Sequence, residues 1–544
     1  MKQIILPLLC LLMLRPGADA APAKPNIIFI LADDLGIGNV GCYGADNYRT
    51  PNIDQLAAGG MRFTHCYTAP LCGPSRALIM TGRYAFRTGA TNQDATGRMK
   101  REVETMMPAY LKPAGYVTSC IGKWGQLPLG PGEFGFDDWF KFRGSGVYWN
   151  MSKGKPEKYW VNGEEKNLDD REYMPELMHD HLVKFLTKNQ DRPFYVYYSM
   201  SHVHGELQRT PDSEPNPKDL MADNCLYMDK LVGKLVTELE RLKLREKTLL
   251  IFMGDNGTGN AWAAKSTIGG RRLSGQKGSM LEGGSLVPML ANWPGVTPAG
   301  KVCADFTDAT DFVPTIAELT GAKLPADNIL DGHSILPQLR GEKGTPRDHI
   351  FMELAREWYV RGDGWKLTQK GELFDMSDAP FEEKLVVASE DTEASKAARL
   401  RLTAALGKLN PAGGILDDGD GSGRHADKSK KEGKKMDKKA KAGEAKPESA
   451  SATKPATPES KSATTSTPSP LAPVDGTFAE RAAKFDRLDT EKHGKLSLEE
   501  YKSRQSDPEA AEKRFKKFDV DRDGFVTRDE YIQNGAKKLK AKEQ

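Results

Sequence analysis

Four apolar runs in this chain each end in residues able to do chemistry. Asn26–Leu31 runs into Asp33 and Asp34, and Thr248–Met253 into Asp255 and Asn256. Val117–Ile121 runs into Lys123, and Phe194–Met200 into His202 and His204. If these ends lie together, the carboxylates repel one another unless a cation sits between them. An all-oxygen donor set suits a hard divalent ion, calcium or magnesium. Taken singly, each cluster would only cap a helix or close a turn. Cys72 lies in Leu71-Cys72-Gly73-Pro74-Ser75-Arg76. Pro74 and Ser75 read as a helix start, which puts Cys72 at a helix N-terminus facing any bound anion, with Arg76 one turn on. A lone cysteine is more often a small buried apolar residue.

The four runs have the length and composition of buried strands. From about Pro25 to Leu339 they alternate with helical patterns such as Ser75–Thr81 and Asp223–Leu242. In the second of these, Leu226, Leu231, Leu235 and Leu239 supply an apolar stripe. Alternation of this kind predicts an α/β domain with a large, mostly parallel sheet flanked by helices. The carboxyl ends of its strands then share one edge, where ligands of open α/β sheets bind. From Asp348 to Asp375 the runs shorten, predicting a small antiparallel subdomain closed by a helix near Ser395–Leu409. Catalytic domain 25–340 and subdomain 341–411 follow from this division. Lys428–Pro473 has almost no large apolar residues, so burial cannot offset its ordering entropy, and 412–475 is expected to be a disordered linker.

Charge is nearly balanced, 78 Lys and Arg against 75 Asp and Glu, which gives no reason to expect a nucleic-acid partner. Lys2, the apolar run Ile4–Leu14 and Ala18-Asp19-Ala20 read as an export signal over residues 1–20. An exported protein, periplasmic or extracellular and without a stable membrane anchor, is expected. The cysteines show no disulfide framework and no CxxC pair.

Residues 476–536 hold a second kind of site. Asp519, Asp521, Asp523, Thr527 and Glu530 fall at the oxygen-donor positions of an EF-hand calcium loop, with Gly524 at its sharp turn. Asp489–Glu500 has the same frame but carries Glu491 and His493 at two ligand positions, so it reads as a degenerate partner. A separate all-α calcium-binding module with a structural role is expected.

The interval from Cys72 to Arg76 is too short for a tyrosine-phosphatase loop. Cys72-Gly73-Pro74-Ser75-Arg76, followed by Thr81-Gly82-Arg83-Tyr84, resembles the signal of the formylglycine-dependent type I sulfatases, of the alkaline-phosphatase-like superfamily. The resemblance runs from about Pro25 to Glu383. It takes in Asp33-Asp34, Gly122-Lys123-Trp124, His204, Gly254-Asp255-Asn256-Gly257 and Gly275-Gln276-Lys277-Gly278, and then Asp331-Gly332-His333-Ser334 and Glu372-Leu373-Phe374-Asp375.

What the resemblance implies is specific. Cys72 is oxidised by a maturing enzyme to an aldehyde, whose hydrate attacks the sulfur of a sulfated carbohydrate or aryl sulfate and later expels sulfate. Asp33, Asp34, Asp255, Asn256 and the modified Cys72 hold calcium, with magnesium the lesser choice. Arg76, Lys123 and Lys277 neutralise the transferring group, and His204 protonates the leaving oxygen. Gly125 stands where the family often has His, a role that His202 or a water would take over, although His202 also reads as a loop residue behind the site. Val203 replaces the usual Pro. Tyr148-Trp149 reads either as core or as a platform for a sugar ring. Two other readings stay open: a phosphonate or phosphodiester hydrolase of the same superfamily, and a non-catalytic calcium-dependent binding protein.

Overall fold

The computed structural model describes residues 24–150, 156–326 and 328–424. In the C-terminal part it describes 485, 488–489, 493–503, 511–512, 515–516, 518–519, 524–528 and 531. The expected export signal at 1–20, the expected linker beyond 424, Asp521, Asp523 and Glu530 lie outside the described residues. The chain divides into two compact units, Met1–Glu444 and Ala445–Gln544.

An eleven-stranded sheet organises the first unit. Its strands include β1 (Asn26–Ala32), β2 (Met61–Tyr67), β3 (Val117–Gly122), β4 (Asp138–Phe142), β5 (Lys158–Val161), β6 (Glu164–Asn167), β7 (Phe194–Ser199) and β8 (Thr248–Gly254). The central run β8-β1-β7-β3-β4 is parallel throughout. Antiparallel neighbours flank it: Leu286–Asn292 beside β8, and the β5–β6 pair beside β4.

Every residue of β1 is buried, and its side chains alternate between two cores. Ile27, Phe29 and Leu31 join one apolar cluster, and Ile28, Ile30 and Ala32 the other. A strand covered on both faces reads as an unbroken apolar run, which is why its polar residues gather at its end. The helix Leu220–Arg241 covers the second core, started by Asp219, whose carboxylate accepts from the Met221 and Ala222 N–H groups. Leu231, Leu235 and Leu239 are fully buried, but Leu226 is 50% exposed and Cys225 takes its place in the stripe. Leu226 and Leu231 are five positions apart, so the two fall on different faces.

His349–Leu354, Glu357–Gly362, Trp365–Thr368, Leu373–Asp375 and Lys384–Val386 form an antiparallel meander. The helix Glu393–Leu409 packs on it through Ala398 and Leu402. The chain beyond this helix departs from expectation. Residues 412–424 are not a disordered linker but a strap laid on the catalytic domain. Ile415 N–H donates to the Phe86 carbonyl at 2.7 Å, and Gln93 N–H to the Gly423 carbonyl at 2.8 Å. Asp417, only 7% exposed, accepts from Thr91 Oγ1, Asn92 Nδ2 and the Gly419 N–H. Hydrogen bonds to a buried carboxylate, rather than apolar burial, order this glycine-rich stretch, so hydropathy does not reveal it.

In the second unit, Lys495–Ser497 and Phe525–Thr527 pair antiparallel, with Leu496 opposite Val526. Both sit in an aromatic cluster with Phe485, Tyr501, Phe515, Phe518 and Tyr531. The Gly494 N–H donates to Asp489 at 2.6 Å and the Gly524 N–H to Asp519 at 3.3 Å, the same contact in each loop.

Two shortened chains test the strap. One ending after Arg424 should unfold at the same temperature as the first unit of the full chain. One ending after Pro411 strips Thr91 and Asn92 of a buried acceptor, at a cost of roughly 1–3 kcal/mol. Its thermal midpoint should fall; equal midpoints would show that the strap contributes nothing.

Candidate active site

The carboxyl ends of β1, β3, β7 and β8 converge. Asp33 and Asp34 leave β1, Lys123 leaves β3 and Asp255 leaves β8. Gly122 is what lets β3 deliver Lys123: its φ is +106°, and a Cβ there would lie 2.0 Å from the Ser199 carbonyl of β7. The helix Cys72–Thr81 points its first turn at this edge. It begins at Cys72 itself, earlier than Pro74 and Ser75 suggested, because Pro is tolerated in a first turn where no N–H bond is required.

The charges here are buried and interlocked. Arg76, fully buried, donates from one nitrogen to Asp255 Oδ2 at 2.8 Å, and from the other to the Lys123 carbonyl, Tyr197 and Ser199. Lys123 Nζ lies 2.5 Å from Asp33 Oδ2, and Lys277 Nζ 2.5 Å from Asp34 Oδ1. Asn256 Nδ2 donates to Asp34 Oδ1 at 2.9 Å, and the Asp34 N–H to Asp255 Oδ1 at 3.0 Å. Burial and the adjacent Asp255 push the Asp33 carboxyl up to about 8, against the pull of Lys123. For Asp34 burial acts in the same sense, but Lys277 and His204 outweigh it and hold the carboxyl below its usual value.

Two acceptors have no partner: Asp33 Oδ1 and Asn256 Oδ1 are both buried without a hydrogen bond. One atom each from Asp33, Cys72 and Asp255 lies within 4.8 Å of the others, and the same holds for Asp33, Asp34 and His204. Orphaned oxygens beside mutually repelling carboxylates are the donor set a divalent cation satisfies.

His204 stands at the rim, its Nε2 3.9 Å from Asp34 Oδ2. Burial, then Lys123, depress its imidazole to about 4. His202 does not take the place of the histidine missing at Gly125. It is fully buried, its Nε2 meets Tyr173 Oη at 3.0 Å, and its ring lies among Tyr148, Tyr173 and Tyr227. Tyr148 is core and not a sugar platform, with its hydroxyl donating to the Ser201 and His204 carbonyls. Trp149 packs on Tyr173 and donates to the Arg209 carbonyl.

Sequence reading missed two residues at Cys72. Gln93 Nε2 donates to Cys72 Sγ at 2.9 Å while its Oε1 accepts from the Gly73 N–H. Gln126 Oε1 lies 3.9 Å from the same sulfur, on the opposite amide. Gln126 directly follows Gly125, and that adjacency was the one available signal. Gln93 gives none, since it reaches Cys72 only through the strap and the turn at Asn92.

An open α/β sheet whose carboxyl edge carries oxygen donors, buried cations and a helix-start cysteine defines a class of hydrolases acting on tetrahedral oxyanion esters. The sulfatase family profile matches residues 25–322. The chain belongs to the sulfatase family. It is 33% identical over 385 residues to N-acetylgalactosamine-6-sulfatase of Canis lupus familiaris, covering 64% of this chain and 70% of that protein. It is 34% identical over 386 residues to arylsulfatase A of Homo sapiens, covering 64% and 75%. Among solved structures it is similar to Ps i-CgsB in complex with k-i-k-neocarrahexaose, at 27% identity and a TM-score of 0.64, over 76% of this chain and 98% of that one. The protein is an enzyme, a sulfatase that hydrolyses sulfate esters.

The donor set makes a direct prediction. In the chain ending after Arg424, calcium should raise the thermal midpoint and bind one ion per chain by calorimetry, with magnesium weaker. Asp255→Ala should abolish that binding. No response to either ion would exclude a divalent site at this edge.

Proposed function

We propose that this sulfatase acts on a sulfated carbohydrate, with an aryl sulfate as a simpler substrate, through a formylglycine derived from Cys72 and a calcium ion. The observation that carries this reading is the place of Cys72. Its sulfur lies within 4.8 Å of a carboxylate oxygen of each of Asp33 and Asp255, at a helix start, with Arg76 one turn behind. The solved relative holding a carrageenan-type hexasaccharide supports a carbohydrate substrate.

Asp33, Asp34, Asp255, Asn256 and the modified Cys72 would hold the calcium, which when bound polarises the sulfate oxygens and acidifies the nucleophilic hydroxyl. A maturing enzyme would supply the formylglycine, whose hydrate provides that hydroxyl at the position of Cys72 Sγ. Gln93 donates to this group and Gln126 accepts from it, so the two amides orient it. Arg76, Lys123 and Lys277 bind the sulfate oxygens and offset the charge that develops on them. His204 delivers a proton to the departing alcohol oxygen. The bound sulfate opposes Lys123 and Lys277, two of the influences that keep this imidazole unprotonated in the free site.

We read the second unit as a calcium-binding EF-hand pair. The paired strands, the aromatic core and the matching glycine contacts in the two loops support this, together with the donors Asp519, Asp521, Asp523, Thr527 and Glu530. We read residues 1–20 as an export signal; no helix among the described residues is long and apolar enough to cross a membrane.

Cys72→Ala should abolish turnover with the thermal midpoint preserved. In the parent, the mass of the Cys72 peptide should match an aldehyde in place of the thiol. An active alanine variant would place the nucleophile elsewhere. His204→Ala should slow poor leaving groups by two orders of magnitude or more, about 3 kcal/mol in the barrier, and 4-nitrophenyl sulfate far less. Equal losses for both would remove His204 as the acid.

A further inference from the structure

Beside the catalytic edge, a cavity of about 370 Å³ opens over β4 and β5. Gly125, Trp139, Lys141, Arg143 and Trp160 are among its walls. Trp139 and Lys141 are two residues apart on β4 and so share a face, and Lys141 pairs with Trp160 across the strands. The platform is held from behind. Asn162, in the β5–β6 turn, accepts from the Trp139 N–H at 2.6 Å, and its amide donates to Asp138 at 2.9 Å. Both tryptophans are half-buried.

Two cations stand between these rings. Lys141 Nζ lies 5.8 Å from the Trp139 ring centre and 5.9 Å from that of Trp160, and the Arg143 guanidinium lies 6.0 Å from Trp160. Neither forms an ion pair with a described carboxylate, and the only hydrogen bond of Lys141 Nζ to a described residue is to the Leu129 carbonyl, at 3.4 Å. Glu165, opposite Trp160, is taken up by Lys158. Burial, with the nearby Arg143 charge, lowers the Lys141 ammonium below its ordinary value, as expected of a partly desolvated cation without a counterion.

The cavity adjoins the catalytic centre at Gly125. A Cβ on that residue would stand 3.2 Å from Arg76 Cδ and 3.6 Å from Lys123 Cε, so the same glycine borders the catalytic cations and the groove.

From this geometry we propose that the groove is a second sugar subsite. It takes the anionic ring next to the one whose sulfate ester is cleaved, with Trp139 and Trp160 against the ring and Lys141 and Arg143 on its anionic substituent. Half-exposed indoles suit the apolar face of a pyranose, and a cation pair lacking a counterion suits its charge. The natural substrate is then an oligosaccharide carrying charge on neighbouring residues. This inference rests on the carbohydrate reading above.

Binding tests it apart from turnover. Full-length protein carrying Cys72→Ala is titrated by calorimetry with multiply sulfated hexasaccharides of the carrageenan and chondroitin sulfate types, and with their desulfated forms. At least one sulfated form should bind tenfold or more tighter than its desulfated counterpart. Trp160→Ala and the exposed Arg143→Ser should each weaken it about tenfold. In chains that keep Cys72, the same two changes should leave kcat/KM for 4-nitrophenyl sulfate within twofold. Unaltered affinity in both variants, absence of binding by every hexasaccharide, or parallel loss of aryl sulfate turnover would overturn the subsite. A Cys72-bearing parent that fails to turn over the aryl sulfate would instead sink the formylglycine mechanism, leaving the groove to be judged by binding alone.

Discussion

The structure depends on a balance of buried charge at the ends of its parallel strands. Asp33, Asp34 and Asp255 meet Arg76, Lys123 and Lys277 where water is almost excluded, three carboxyl groups against three cationic side chains. Each charge alone would carry a desolvation penalty of several kcal/mol. Interlocked, they offset one another, while burial favours the protonated form of Asp33. A divalent cation bound to the free oxygens of Asp33 and Asn256 would favour the ionised form of Asp33 and leave the edge positive, as binding of a sulfate ester anion requires. The same ions therefore hold the sheet edge together and, on the proposed reading, bind the reacting group.

Such a cluster requires a rigid support, and the two-sided burial of β1 provides it. With apolar clusters on both faces, β1 cannot slip by one residue without burying Asp33 in a core. The helix carrying Cys72 and Arg76 is fixed from both ends: Arg76 is locked to the strand ends, and Cys72 is held between Gln93 and Gln126. Gln93 in turn is bonded to the strap through the Gly423 carbonyl, so the geometry at Cys72 draws on residues more than three hundred positions further along the chain.

Gly125 shows how one small residue alters a site. The imidazole usual in this family would stand against Arg76 and Lys123. Its absence puts Arg76 and Lys123 beside the groove of Trp139 and Trp160. Neither histidine of the 202–204 turn compensates, since His202 faces an aromatic core and His204 sits at the rim.

The sequence by itself determined four of the parallel strands and what stands at their ends. Buried parallel strands must be continuous apolar runs, so Asp33, Asp34, Lys123, Asp255 and Asn256 announce themselves as the polar residues that follow. Cys72 and Arg76 were legible because one helical turn separates them. Only tertiary structure decided what depends on contacts between distant segments. The partners of Cys72, the ordering of 412–424 through Asp417, the inward turn of His202 and the pairing of Lys141 with Trp160 leave no periodic trace. Periodicity reports which face of an element is buried; it carries no information about which other element covers that face.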